Sequence, residues 1–168
     1  MARSRAPAPD CNVEVDCRGE GGAYCGKCCR RAVVPLLRSD IERLAERLGD
    51  TSRYVEWVSG VPVLKRSESG ACIFLDASGR CVVYDVRPLA CRLYPLTYTP
   101  GLWVHVDPAC PKSDTVSVES IVKCASLVEK FPRIIAQDWL GEVHVLDASV
   151  HREAFTQGPV AKFNMRAT

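Results

Sequence analysis

Three of the ten cysteines in this 168-residue chain lie within Cys25-Gly26-Lys27-Cys28-Cys29, a density that ordinary core packing does not require. Thiolates are soft ligands suited to zinc and to iron–sulfur clusters, and a C-x2-C turn such as Cys25 to Cys28 delivers two sulfurs to one centre. Gly26 supports that geometry, because a residue without Cβ lets backbone approach the sulfurs closely. Cys29 should project differently from Cys28, either toward a second ion or iron or as a nearby thiol. Four more cysteines, Cys72, Cys81, Cys91 and Cys110, follow beside glycines and prolines that shape turns. Cys25, Cys28, Cys29, Cys72, Cys81, Cys91 and Cys110 are therefore the candidate ligands. A lone tetrahedral zinc would use four of them, and the surplus weighs toward an iron–sulfur cluster, slightly preferred over zinc, or toward two metal subsites. The plainer reading makes Cys72 and Cys81 small buried hydrophobes.

These thiols need elements to position them. Ser39 as N-cap, Glu42 three residues on, and Ile41, Leu44, Ala45 and Leu48 at helical spacing predict a helix stopped at Gly49. Residues 54–58 could add a second short helix. Residues 72–76 and 80–84 read as a hairpin about Ser78-Gly79, in which Leu75 would pair with Arg80, Phe74 would face Cys81, and Cys72 and Cys81 would share a side. A short segment capped at Asp85, with Pro88 in its first turn, would carry Cys91 back toward the cluster. A further hairpin is expected about Pro100-Gly101, a helix over 117–130 ended by Pro132, a helical piece over 134–140 and a strand over 142–146. Cys124 falls near the apolar stripe of the 117–130 helix and reads as packing. The fold class is α+β: a small metal-stapled domain with short β-hairpins and several helices around a cysteine cluster.

Cys25-Gly26-x-Cys28-Cys29-Arg30, Gly70-x-Cys72-Ile73-Phe74-Leu75, Gly79-Arg80-Cys81-x-x-Tyr84 and Arg87-Pro88-x-x-Cys91-Arg92-x-Tyr94-Pro95 occur in this order. Together they resemble the YkgJ-type CxxCxxCC cysteine-cluster family, a zinc- or iron-chelating domain. They are also similar to the cysteine-rich segment of flagellin lysine methylases, which implies an iron–sulfur option without implying methylation. The family pattern reads C-x2-C-x2-C-C, and its first position falls here on Gly22. Cys17, or Cys11, on the glycine-rich stretch upstream could replace the missing ligand.

The division expected is a disordered leader over 1–16, a metal-binding region over 17–111 and a helical extension over 112–168 packed on the same domain. Net charge is +2, with 22 basic residues interspersed among 20 acidic ones, so the chain lacks the electrostatic footprint of a nucleic-acid binder. Neither a signal peptide nor a membrane span is legible, and a cytoplasmic setting would favour metal ligation over disulfides. Sixteen arginines against six lysines hint at a GC-rich or thermophilic source, and thermophiles keep intracellular disulfides, so a disulfide-stapled domain stays open. Arg30, Arg87 and Arg92 could offset thiolate charge, although Arg87 reads better as a donor to backbone carbonyls. His105 reads as an exposed strand residue before a ligand, and Asp76 and Asp85 as turn and cap residues before acids or bases. No phosphate-binding loop or catalytic triad signature is present, and a radical-SAM pattern would need cysteine where Ala32 stands. Metal binding is the leading function, with an unidentified protein partner conceivable. The alternatives are a redox or modifying enzyme that uses the cluster or a free thiol, and a structural zinc interaction domain.

Overall fold

The computed structural model describes residues 9–19 and 22–141. Helix α1, Arg38–Leu48, is followed by an antiparallel hairpin of β1, Val55–Val58, and β2, Val61–Leu64. Ser59 and Gly60 both take positive φ, as a tight two-residue turn between strands requires. A long stretch without regular strands leads to the short α2, Leu89–Leu93, then to the hairpin of β3, Leu96–Thr99, and β4, Trp103–Val106. Helix α3, Val118–Leu140, is the last element among the described residues and packs on the β3–β4 hairpin. The architecture is α+β, with two separate two-stranded sheets among the described residues.

Two apolar clusters hold these pieces. In one, Val128 and Ile135 of α3 meet Leu89, Leu93 and Leu96, together with Cys11 and Val13 from the N-terminal segment. In the other, Leu36, Leu44 and Tyr54 pack with Leu64, Phe74 and Val83. The end of α3 is tied to the start of α1, where Trp139 Nε1 donates to the Leu36 carbonyl and Arg38 N donates to Asp138. Among the described residues no helix is long and apolar enough to cross a membrane.

Several expectations change. Leu37, rather than Ser39, occupies the N-cap of α1, and the capping carboxylate is Asp40, whose Oδ2 accepts from Leu37 N. Residues 55–58 form a strand because Val61-Pro62-Val63-Leu64 supplies a partner across the turn, and cross-strand pairing overrides helical spacing in so short a segment. Over 72–84 only isolated bridges form, and Leu75 pairs with Cys81 rather than Arg80. Asp76 Oδ1 accepts from Ser78 N, Ser78 Oγ and Arg80 N, so the turn extends through Arg80 and shifts the register by one. Pro132 does not end a helix: α3 runs through it as one 23-residue element, with buried Val128 and Ile135 on either side. Pro88 precedes α2 instead of opening it, and Asp85 lies in a separate 3-10 turn, Tyr84–Val86.

At the N-terminus, residues 9–16 of the expected leader lie against the fold. Val13 is buried and its N–H donates to the Arg92 carbonyl, while Cys11 forms a disulfide with Cys124 of α3. Cys124 is thus a cross-link as well as a packing residue, and Cys11 is not a free thiol. The strand expected over 142–146 lies outside the described residues.

Candidate metal centre

Eight cysteines are free, namely Cys17, Cys25, Cys28, Cys29, Cys72, Cys81, Cys91 and Cys110. They come from three parts of the chain, and glycines bring the first two together. Gly26 takes φ +55, and a Cβ there would lie 2.7 Å from Arg30 Nη1 and 2.9 Å from the Gly79 carbonyl oxygen. Gly79 takes φ +82, and its Cβ would lie 2.5 Å from the Tyr24 carbonyl oxygen. The cysteine turn and the 76–80 turn therefore touch backbone to backbone, a spacing that only glycine permits. Cys72 N donates to the Cys29 carbonyl at 2.7 Å, which fixes the second segment to the first.

The N-terminal segment folds back on the same turn. Arg18 bridges to Tyr24, and Cys25 N donates to the Cys17 carbonyl at 2.9 Å, so Cys17 lies beside Cys25 across a short antiparallel contact. Gly22, at the position where the family carries cysteine, takes φ +81, a conformation that cysteine adopts poorly. Cys17, Cys25, Cys28 and Cys110 line one small cavity of about 30 Å³. Cys91 arrives on α2, whose first turn is held by Asp40: Oδ1 accepts from Leu89 N at 3.0 Å and from Arg43 Nη2 at 2.5 Å.

The electrostatics follow from gathering thiols out of water. Burial pushes Cys17 up to about 11, and the neighbouring Cys28, Cys110 and Cys25 add to the rise. Burial likewise raises Cys72, Cys81, Cys91 and Cys110. Cys28 and Cys29 behave as a pair, with Sγ atoms 3.9 Å apart. Cys28 is held below the ordinary thiol value because it accepts the hydrogen bond from Cys29, and Cys29 is raised because it donates it. One thiolate is thus favoured within a set of neutral thiols.

Arg30 and Arg87 serve the loops. Arg30 Nη1 donates to the Cys25 carbonyl, and Arg87 donates to the Tyr84 carbonyl and to Asn12. Arg92 pairs with Asp10. His105 bonds within its hairpin, to Thr97 Oγ1 and the Trp103 carbonyl. Asp76 is a turn residue, as its composition suggests.

Among the described residues, no three or more His, Cys, Asp or Glu side chains already stand close enough to hold an ion. The donor set, eight free thiols, fits a thiophilic metal in kind and number. Its sulfurs would still have to draw inward to reach bonds of about 2.3 Å.

Residues 16–121, well over half of the chain, match the model of the CxxCxxCC family, described as "putative zinc- or iron-chelating domain". An uncharacterised protein of Methanocaldococcus jannaschii is 34% identical over a 110-residue alignment that covers 54% of this chain and 59% of the relative. No solved structure matches the chain.

Proposed function

The chain belongs to the CxxCxxCC family, and from that premise we propose that its free cysteines chelate zinc or iron, with Cys17 taking the place of the ligand missing at Gly22. The observation that carries this reading is that Cys17, Cys25 and Cys28 from the N-terminal loop and Cys110 from beyond β4 line one cavity, with Cys29, Cys72, Cys81 and Cys91 in and around the apolar cluster of Leu44 and Phe74. Between Lys65 and Pro88 the chain has isolated bridges and a single 3-10 turn but no strand pair or α-helix, so it is held by scattered backbone bonds and side-chain packing and not by a regular ladder. A bound ion would supply neutralisation of the thiolates and strong cross-links between loops, in place of the regular strands and helices that the segment lacks. The chain's own residues do the rest. The glycine contacts set the approach of the turns, Asp40 fixes the helix that carries Cys91, and the Cys29 to Cys28 hydrogen bond favours the first thiolate.

The preference for an iron–sulfur cluster rested on three spare thiols beyond a four-ligand zinc. Anaerobic purification, followed by zinc, iron and acid-labile sulfide determination, tests the reading. Stoichiometric zinc or iron is expected, and sulfide with visible colour would select the cluster. Protein without zinc or iron whose eight thiols all react freely with an alkylating reagent would overturn it.

A further inference from the structure

The eight free thiols divide into two groups with different surroundings. Cys17, Cys25, Cys28 and Cys110 line the same cavity, and none of the other four reaches it. Cys72 belongs to the apolar cluster around Leu44 and Phe74, and Cys29, Cys81 and Cys91 pack against that cluster while none of the first four does. Backbone pairing respects the same division, since Cys25 N bonds the Cys17 carbonyl and Cys72 N bonds the Cys29 carbonyl.

The boundary runs through the peptide bond between Cys28 and Cys29. Both lie in the 3-10 turn Cys28–Arg30, where successive side chains point about 120° apart because the turn holds three residues. Their sulfurs, 3.9 Å apart, would also fit one edge of a single tetrahedron with bonds of about 2.3 Å. The different surroundings decide against that: Cys28 faces the cavity and Cys29 faces the apolar cluster.

We propose that this chain holds two separate four-thiolate centres, one of Cys17, Cys25, Cys28 and Cys110 and one of Cys29, Cys72, Cys81 and Cys91, adjoining at the Cys28–Cys29 dipeptide. This rests on the metal-chelating reading and adds the number of centres and the ligands of each. It also accounts for the thiol surplus, because eight free cysteines are two complete sets with none over. Cys17 is then an obligatory ligand, and Gly22 needs no replacement at its own position.

The full chain, stripped of metal anaerobically with its disulfide intact, would be titrated with cobalt(II). Two equivalents per chain are expected, with the intense near-ultraviolet absorption of thiolate ligation. At one equivalent, iodoacetamide footprinting by mass spectrometry should leave one complete group of four protected and the other modified. Cys110→Ser should bind one equivalent and protect Cys29, Cys72, Cys81 and Cys91, and Cys81→Ser should bind one and protect Cys17, Cys25, Cys28 and Cys110. Saturation of the wild type at one equivalent, or a protected set that mixes the groups, would overturn the two-centre arrangement while leaving metal chelation in place. A wild type that takes up neither cobalt, zinc nor iron would overturn both. If either variant does not fold, as judged by circular dichroism, the wild-type capacity and footprint decide alone.

Discussion

Removing the Asp40 side chain should destabilise the fold and weaken metal uptake at Cys91 together. Asp40 is fully buried and accepts from two buried N–H groups, Leu37 at the start of α1 and Leu89 at the start of α2, as well as from Arg43. In Asp40→Ala both N–H groups lose their acceptor, at about 1–3 kcal/mol each. Part of that cost is offset, because burial pushes the Asp40 carboxyl above its ordinary value despite these donors, which means the buried charge itself is unfavourable. A net loss of about 3 kcal/mol is expected. With a urea slope of about 1.5 kcal/mol/M, the midpoint should fall by about 2 M. Asp40→Asn keeps the oxygen facing Leu89 and Arg43, sheds the charge, and turns its NH2 toward Leu37 N–H. It should cost about 1–2 kcal/mol. Urea unfolding of the metal-free, disulfide-intact protein measures both, and zinc titration reads the consequence for Cys91, two residues beyond the anchored Leu89. An Asp40→Ala midpoint within 0.5 M of wild type would refute the anchoring role (roughly the error of such extrapolations). Equal losses for Ala and Asn would place the effect in the charge instead of the acceptors.

Gly79→Ala puts a Cβ 2.5 Å from the Tyr24 carbonyl at a φ of +82, so it should separate the two turns and cost about 2–3 kcal/mol with reduced metal capacity, read by urea unfolding and zinc titration. Gly22→Ala, at φ +81 but with nothing within 4 Å, should cost only about 1 kcal/mol and leave capacity intact by the same two measurements. In the metal-free protein Cys28 should be alkylated before the other cysteines as pH rises toward the ordinary thiol range, because its pKa is depressed, and time-resolved mass spectrometry would detect any other order. Cys17 has a folded-state pKa raised from 9.0 to about 11, so its contribution is fully present below 9.0 and is lost as pH rises through that interval; metal-free thermal midpoints should therefore fall between those values. Cys124→Ser opens a cross-link spanning 113 residues and should lower stability by about 2–5 kcal/mol, checked by urea unfolding of the variant against the oxidised wild type.

Legibility differed between elements for physical reasons. The β3–β4 hairpin was readable because its strands are consecutive and Pro100-Gly101 marks their turn, and α1 because Leu44 and its helical neighbours repeat at the right spacing. The cap of α1 was misplaced because Asp40 serves two helices at once, and its second partner, Leu89, lies 49 residues away where local patterns have no reach. The strand at Val55–Val58 failed for a related reason: four residues carry too little periodicity to separate strand from helix, and the partner strand decides. The Cys11–Cys124 disulfide had no local signal: Cys124 read as packing on its helix and Cys11 as a candidate ligand, and the two lie 113 residues apart.

Cys17 is the instructive case at the site. The sequence offered two upstream thiols for one vacant position and no local means of choosing, because both precede a glycine-rich stretch of uncertain path. The proposed choice of Cys17 rests on a covalent exclusion and a hydrogen bond. Cys11 is consumed by Cys124 of α3, which anchors the N-terminal segment, and six residues later the chain pairs with Cys25 so that Cys17 faces the cavity of Cys25, Cys28 and Cys110. The disulfide and the candidate metal centre are therefore mechanically linked through a short tether. A bond placed in the apolar core sets where Cys17 can stand beside Cys25, Cys28 and Cys110, and Gly22, at positive φ, lies between Cys17 and Cys25 where the chain turns back.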